Sequence, residues 1–214
     1  MNTPNNYLNA VRQILQHLEQ TQLPAIDRAA DLVIDALAHK GSIYCGEIGH
    51  GIQGDFVNRA GGLAATKALK DSSALKPHDV LVIGSVSGRN VAPIDIALAA
   101  RQRGAKVIGL TSLAYTAKVS SLHPSGKKLS DVADVVIDSG APYGDAAVDI
   151  PGFEHKLLPV SGVACAVIGH LLWGRVMEKM AAADNPPTVF QSINREGGQD
   201  FYKKALAQFE QRGY

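Results

Sequence analysis

Apolar residues recur at helical spacing through the first forty positions. Leu8, Val11, Ile14, Leu15 and Leu18 form one stripe, and Ile26, Ala29, Ala30, Val33, Ile34 and Leu37 form a second that opens behind Pro24. Two amphipathic helices are expected, since proline suits a first helical turn. The pattern changes at Gly41. Ser42-Ile43-Tyr44-Cys45 is a short apolar run before the turn Gly46-Glu47-Ile48-Gly49-His50-Gly51, which reads as a buried strand entering a helix. The unit then repeats. Asp79 to Gly84 is an aliphatic run and Ser85 to Asn90 a polar turn; Ile94, Ala97 and Leu98 mark the next helix, with Pro93 in its first turn.

Gly104 ends that helix, and further strands are expected over Lys106–Thr111 and Asp134–Asp138. Near-continuous Val, Ile and Leu runs flanked by helices imply strands covered on both faces. The fold class is therefore α/β, a three-layer αβα doubly wound parallel sheet. A long apolar helix follows Pro159-Val160-Ser161-Gly162 and runs to about Met180. Val163, Val167, Leu171, Leu172 and Val176 surround its axis, so burial on several sides is expected, a dimer contact included. Asn185-Pro186-Pro187 breaks it, and Phe201, Ala205, Leu206 and Phe209 mark a last amphipathic helix. With no repeat, linker or low-complexity stretch, one domain is expected over 1–214: a helical pair over 1–40, an α/β core over 41–183 and a tail with a helix over 184–214. A homodimer or tetramer is expected from the amphipathic and apolar helices.

Composition narrows the function. A chain of 214 residues, 46% hydrophobic, can bury one substantial core. Its 21 Lys and Arg nearly balance 20 Asp and Glu, leaving no global field to hold a polyanion, so nucleic acid is not an expected partner. Cys45 and Cys165 sit in apolar runs without metal-ligand spacing and are expected to be buried, reduced thiols. The polar start MNTPNNYLNA lacks a signal pattern, and the apolar stretch near 162–173 is interrupted by His170. That stretch falls short of the roughly 20 residues of a membrane span, so no membrane partner and a cytoplasmic location are expected.

In open parallel sheets ligands bind outside the carboxyl ends of the strands, where helix amino termini direct free N–H groups. Ser85-Val86-Ser87-Gly88-Arg89-Asn90 places two hydroxyls, a glycine and an amide just before a helix, a pattern that can cradle phosphate. The alternative is helix capping by Ser87 or Asn90. Thr111 and Ser112, ending the next strand, and Ser161, opening the long helix, are weighed in the same two ways. The pattern GxxxxGK followed by Ser or Thr is absent, and the glycines of Gly46 to Gly51 have the wrong order for a dinucleotide fingerprint. No nucleotide or other cofactor is expected.

On the Ser85–Asn90 loop and the glycine turn containing Gly49, the chain resembles the SIS (sugar isomerase) domain family. More narrowly it is similar to an uncharacterised bacterial branch of SIS-domain proteins, through Arg59-Ala60-Gly61-Gly62-Leu63, Ser87 to Ile94, Ser125-Gly126-Lys127-Lys128-Leu129, Val132 to Asp138 and Pro142-Tyr143-Gly144-Asp145-Ala146. The resemblance covers nearly the whole chain. It implies the SIS fold, which is flavodoxin-like, and a phosphorylated sugar as ligand, held by Gly49, Ser85, Ser87, Gly88, Asn90, Thr111, Ser112 and Ser161. Two departures stand out: Asn90 takes the place of a common threonine, and the segment between Leu63 and Pro77 is shorter than in that branch.

Aldose–ketose isomerisation needs one base and one group that polarises the carbonyl. A more distant likeness to phosphoheptose isomerases implies a carboxylate on the helix after the first strand and a histidine on the long helix, here Asp55 and His170. His50 competes with His170, and Glu47 lies three residues before it. The plain alternatives are a structural Asp55, a core His170 bonded to a backbone carbonyl, and a His50–Glu47 pair that only stabilises its turn. A metal held by His50, Asp55 and His170 is the less favoured arrangement, and no metal is expected. His123, Lys127 and Lys128 read as a solvated loop. The expected function is a phosphosugar-binding protein acting as an aldose–ketose isomerase. The alternatives are a non-catalytic phosphosugar sensor, or other chemistry on a phosphorylated amino sugar such as deamination or ether cleavage.

Overall fold

Five strands, β1 (Ile43–Ile48), β2 (Thr66–Ala68), β3 (Val80–Gly84), β4 (Lys106–Thr111) and β5 (Val135–Asp138), form one sheet in the order β2-β1-β3-β4-β5. Every pairing in it is parallel. The protein is seen in a computed structural model that describes residues 2–48, 51 and 53–214. In β3 all five residues are buried. Val80 and Val82 pack with the elements on one face, Leu81 and Ile83 with those on the other. Successive side chains of a strand point to opposite faces, so helices on both sides demand an unbroken aliphatic run.

On the first face lie α1 (Thr3–His17), α2 (Leu23–Ala38) and α7 (Ser161–Ala182), which supply most of the larger core. The expected opening pair is nearly one rod: a π-helical turn, Leu18–Gln22, joins α1 to α2. Gln22 Oε1 there accepts the Asp138 N–H at 2.9 Å and so fixes the rod to the end of β5. Arg175 of α7 donates to Asp27 of α2 at 2.7 Å, and Lys179 lies 3.0 Å from the same carboxylate. The opposite face carries α4 (Val91–Gln102) and α6 (Leu129–Val132).

Phe56 ends the short α3 (Gln53–Phe56) and is 1% exposed. Its ring stands edge-on to Trp173, centroids 6.2 Å apart, and fills the space over Gly169. After α5 (Leu113–Thr116), α6 and β5 comes an antiparallel hairpin, β6 (Ala146–Val148) and β7 (Leu157–Pro159). The tail does form a helix, α8 (Gly198–Arg212), and packs Ala205 against Ala64 and Phe190. Cys45 and Cys165 are buried and free; burial pushes both thiols up to about 12, with the Asp145 charge adding to the effect at Cys165. Among the described residues no helix is long and apolar enough to cross a membrane.

Candidate functional site

The winding direction of the sheet reverses between β1 and β3, and a cavity of about 570 Å³ opens at their carboxyl ends. That is where open α/β sheets bind ligands. Glu47 of β1, Ser85, Ser87 and Asn90 of the turn after β3, Tyr115 of α5 and Asp145 before β6 all line it. Asn90 occupies the N-cap position of α4, yet its side chain makes no capping bond. Among the described residues the side chains of Ser85, Ser87 and Asn90 have no protein hydrogen-bond partner and open onto the cavity, so the capping alternative is not what the structure shows.

The turn owes its shape to a later part of the chain. Val86 O accepts the Ser112 N–H at 2.9 Å, Ser87 O the Thr116 hydroxyl at 3.1 Å, Gly88 O the Leu129 N–H at 2.8 Å and Arg89 O the Leu122 N–H at 2.9 Å. Four successive carbonyls are thus tied to residues 112–129. The N–H groups of Val86, Ser87, Arg89 and Asn90 find no acceptor among the described residues, and at the start of a twelve-residue helix such amides suit an anion. Gly88 sits at φ +66°, and a Cβ there would lie 2.9 Å from both the Thr111 and the Thr116 hydroxyl oxygens. Thr116→Val removes the tie to Ser87 O at constant shape. It is expected to cost about 1 kcal/mol of stability and to weaken a phosphate ligand by roughly 5-fold or more, with recovery in Thr116→Ser, as read by calorimetric titration.

The neighbouring hydroxyls are committed to the framework. Thr111 Oγ1 donates to Val86 O at 3.3 Å, Ser112 Oγ to Ala141 O at 2.5 Å, and Ser161 Oγ to Asp145 Oδ2 at 2.6 Å. All three residues are buried, so the ligand contacts expected of them give way to a buttressing position. Asp145 also accepts the Ser161 N–H at 2.9 Å and caps α7. Sequence reasoning assigns Asp145 and Tyr115 no role; the only signal is the position of Asp145 inside the Pro142–Ala146 stretch.

Glu47 is exposed near the end of β1 and lines the cavity. Asp55 pairs with Arg59 at 3.5 Å, away from the cavity lining. His170 is an exposed residue of α7 beside Leu23, Asp27 and Arg175 in a separate groove, neither a core histidine nor part of the cavity wall. Gly49 and His50 lie outside the described residues. Among the described residues no three His, Cys, Asp or Glu side chains converge as a metal site would require. His123 is structured: Nε2 lies 2.9 Å from Asp95 and Nδ1 2.6 Å from the Ser125 hydroxyl, which ties this loop to α4.

Sheet order and the open turn before α4 define a doubly wound α/β domain. The chain belongs to the SIS domain family, whose model matches residues 6–73 and 64–112. A UPF0309 protein of Listeria innocua is 31% identical over 237 residues, covering 97% of this chain and 96% of the relative. A UPF0309 protein of Halalkalibacterium halodurans is 34% identical over 230 residues, covering 94% and 95%. Among solved structures, a phosphoheptose isomerase of Francisella tularensis superposes with a TM-score of 0.57 at 17% identity, covering 82% of this chain and 96% of that one. The sugar isomerase domain of an RpiR transcription factor of Sphaerobacter thermophilus superposes with a TM-score of 0.52 at 19% identity, covering 99% of both chains. These structures share the fold.

Proposed function

We propose that the chain binds a phosphorylated sugar in this cavity and interconverts its aldose and ketose forms. The supporting observation is the unpartnered set on one wall: two hydroxyls, one amide side chain and four backbone N–H groups at the start of α4. Hydroxyls and N–H groups can donate to three phosphate oxygens together, and the helix dipole favours the dianion. Glu47 faces the same space and in this scheme takes the proton from C2 of the aldose and returns it to C1 through an enediol. His50, in the adjoining turn by sequence, is the group proposed to polarise the carbonyl. Asp55 and His170 stand off the cavity wall and are given no step.

A non-catalytic phosphosugar sensor is the second reading, favoured by the full-length likeness to the sugar isomerase domain of a transcription factor. One domain and a homo-oligomer remain proposals as well, with Leu8, Leu15, Leu23 and Leu171 as apolar surface left exposed for a second copy. Thermal denaturation with sugar phosphates, their unphosphorylated parents and Ser87→Ala tests the binding. A ligand at 100 times its Kd adds about 2.7 kcal/mol, roughly 5–10 °C for a chain of this length. Stabilisation by phosphorylated forms alone, lost or strongly weakened in Ser87→Ala, is the expected result. A response to unphosphorylated sugars alone would sink the reading. Interconversion of the bound sugar, followed by NMR, separates the enzyme from the sensor.

A further inference from the structure

A second group of chemically active side chains lies outside the cavity, where the loop after α5 meets α4. His123 Nε2 is 2.9 Å from Asp95 Oδ1, and His123 Nδ1 is 2.6 Å from the Ser125 hydroxyl. None of the three residues lines the cavity. An ionised carboxylate only accepts, so the imidazole proton sits on Nε2 and the Nδ1 lone pair faces Ser125. Two further contacts agree with that tautomer. The Ser125 N–H donates to Nδ1 at 3.1 Å, and the Lys127 N–H donates to Ser125 Oγ at 3.3 Å, which leaves the hydroxyl proton directed at the imidazole. The loop is held closed by the Ser121 hydroxyl, which donates to Lys127 O at 2.6 Å. Exposure is graded as a reactive serine requires: the His123 side chain is only 10% exposed, whereas Ser125 is open to solvent. Ser73 is the contrasting case, an exposed serine whose hydroxyl is bonded at 2.8 Å to the Asp71 carboxylate rather than to an imidazole.

A hydroxyl bonded to an imidazole that a carboxylate orients is the arrangement that activates a serine. We infer that Ser125 is a nucleophile which accepts acyl groups from small activated esters, with His123 as its base and Asp95 as the residue that positions the imidazole. Ser125 Oγ bonds to the acyl carbon while its proton passes to His123 Nδ1. The carbonyl then re-forms, the bond to the leaving oxygen breaks, and Nδ1 returns the proton to the departing alcohol. The product is an ester on Ser125; water attacking with the same base restores the hydroxyl and releases the acid. This chemistry goes beyond the phosphosugar reading and does not depend on it.

Labelling of the full chain with an alkyl fluorophosphonate, mapped by peptide mass spectrometry, tests the inference, because the same attack at phosphorus expels fluoride and leaves a stable ester. The first adduct is expected on Ser125, ahead of Ser73, Ser85 and Ser87, at a rate about 100-fold above that in His123→Gln. Asp95→Asn removes the charge opposite the imidazolium formed during attack. It is expected to slow labelling about 3-fold or more, with recovery in Asp95→Glu. Release of p-nitrophenolate from p-nitrophenyl acetate should fall by about 3-fold or more in Ser125→Ala, and circular dichroism checks that each variant is folded. A first adduct on another serine, a Ser125 rate unchanged in His123→Gln, or equal ester cleavage by Ser125→Ala and the parent chain each overturns the inference.

Discussion

Gly88→Ala is expected to abolish the response to phosphorylated ligands while the chain still folds. The backbone there sits at φ +66°, and an L residue in that region costs roughly 1–2 kcal/mol. The added methyl would also stand 2.9 Å from the Thr111 and Thr116 hydroxyl oxygens, which hold Val86 O and Ser87 O. Relief requires the turn to move away from its anchors. A displacement of about 1 Å in groups meant to meet a phosphate together is worth roughly 100-fold. Gly152 is the control: it has φ +91° with nothing within 4 Å of the position a methyl carbon would take, so Gly152→Ala carries the backbone cost and should keep the ligand response. Melting curves with and without a phosphorylated sugar read both effects; an undiminished response in Gly88→Ala would show that the turn does not hold the ligand.

The second large effect lies in the core. A Cβ at Gly169 would overlap Cε1 and Cζ of Phe56, and the ring has no free direction because it is buried against Trp173. Overpacking of this kind costs about 1–3 kcal/mol and more where rigid groups collide, so Gly169→Ala should lower Tm by roughly 5–10 °C. On the same helix Gly174 has open space at its Cβ, and Gly174→Ala should stabilise by about 0.5–1 kcal/mol. Chemical denaturation of the two variants checks the contrast. Equal stability of Gly169→Ala and the parent chain would mean that α3 does not pack on α7 in this way.

The central strands were legible because each face of the sheet is covered, and β3, β4 and β5 fall where their apolar runs stand; β1 overruns its expected end at Cys45 and takes in Gly46, Glu47 and Ile48, read from the glycines as turn. β2, β6 and β7 were not legible. Each is three residues long, too short for periodicity to register, and Pro159 within β7 argues against a strand in isolation. The phosphate turn could be found from its residue types, but which hydroxyls stay open could not. Ser112 caps α5 by accepting the Tyr115 N–H at 3.0 Å, the capping role weighed for it, but its donation to a carbonyl 29 positions on and the bond of Ser161 to a carboxylate 16 positions back are pairings that no local pattern reveals. His170 illustrates helical phase: Ile168, Gly169, Leu172 and Trp173 of α7 turn inward, which leaves position 170 on the outer surface.

The carbonyl ties also order events in time during synthesis. A nascent chain that has emerged only to Ser120 contains every residue of the Ser85–Asn90 turn and the whole region matched by the family model, but not Leu122 and Leu129, which donate to Arg89 O and Gly88 O, nor Asp145 on the far wall. Translation proceeds at about 5–20 residues per second, so for seconds the growing chain holds the recognition segment without the frame that aims its amides outward. A turn of this shape is therefore complete only once Leu129 has been made, so any ligand it holds acts on the finished domain and not on its first half.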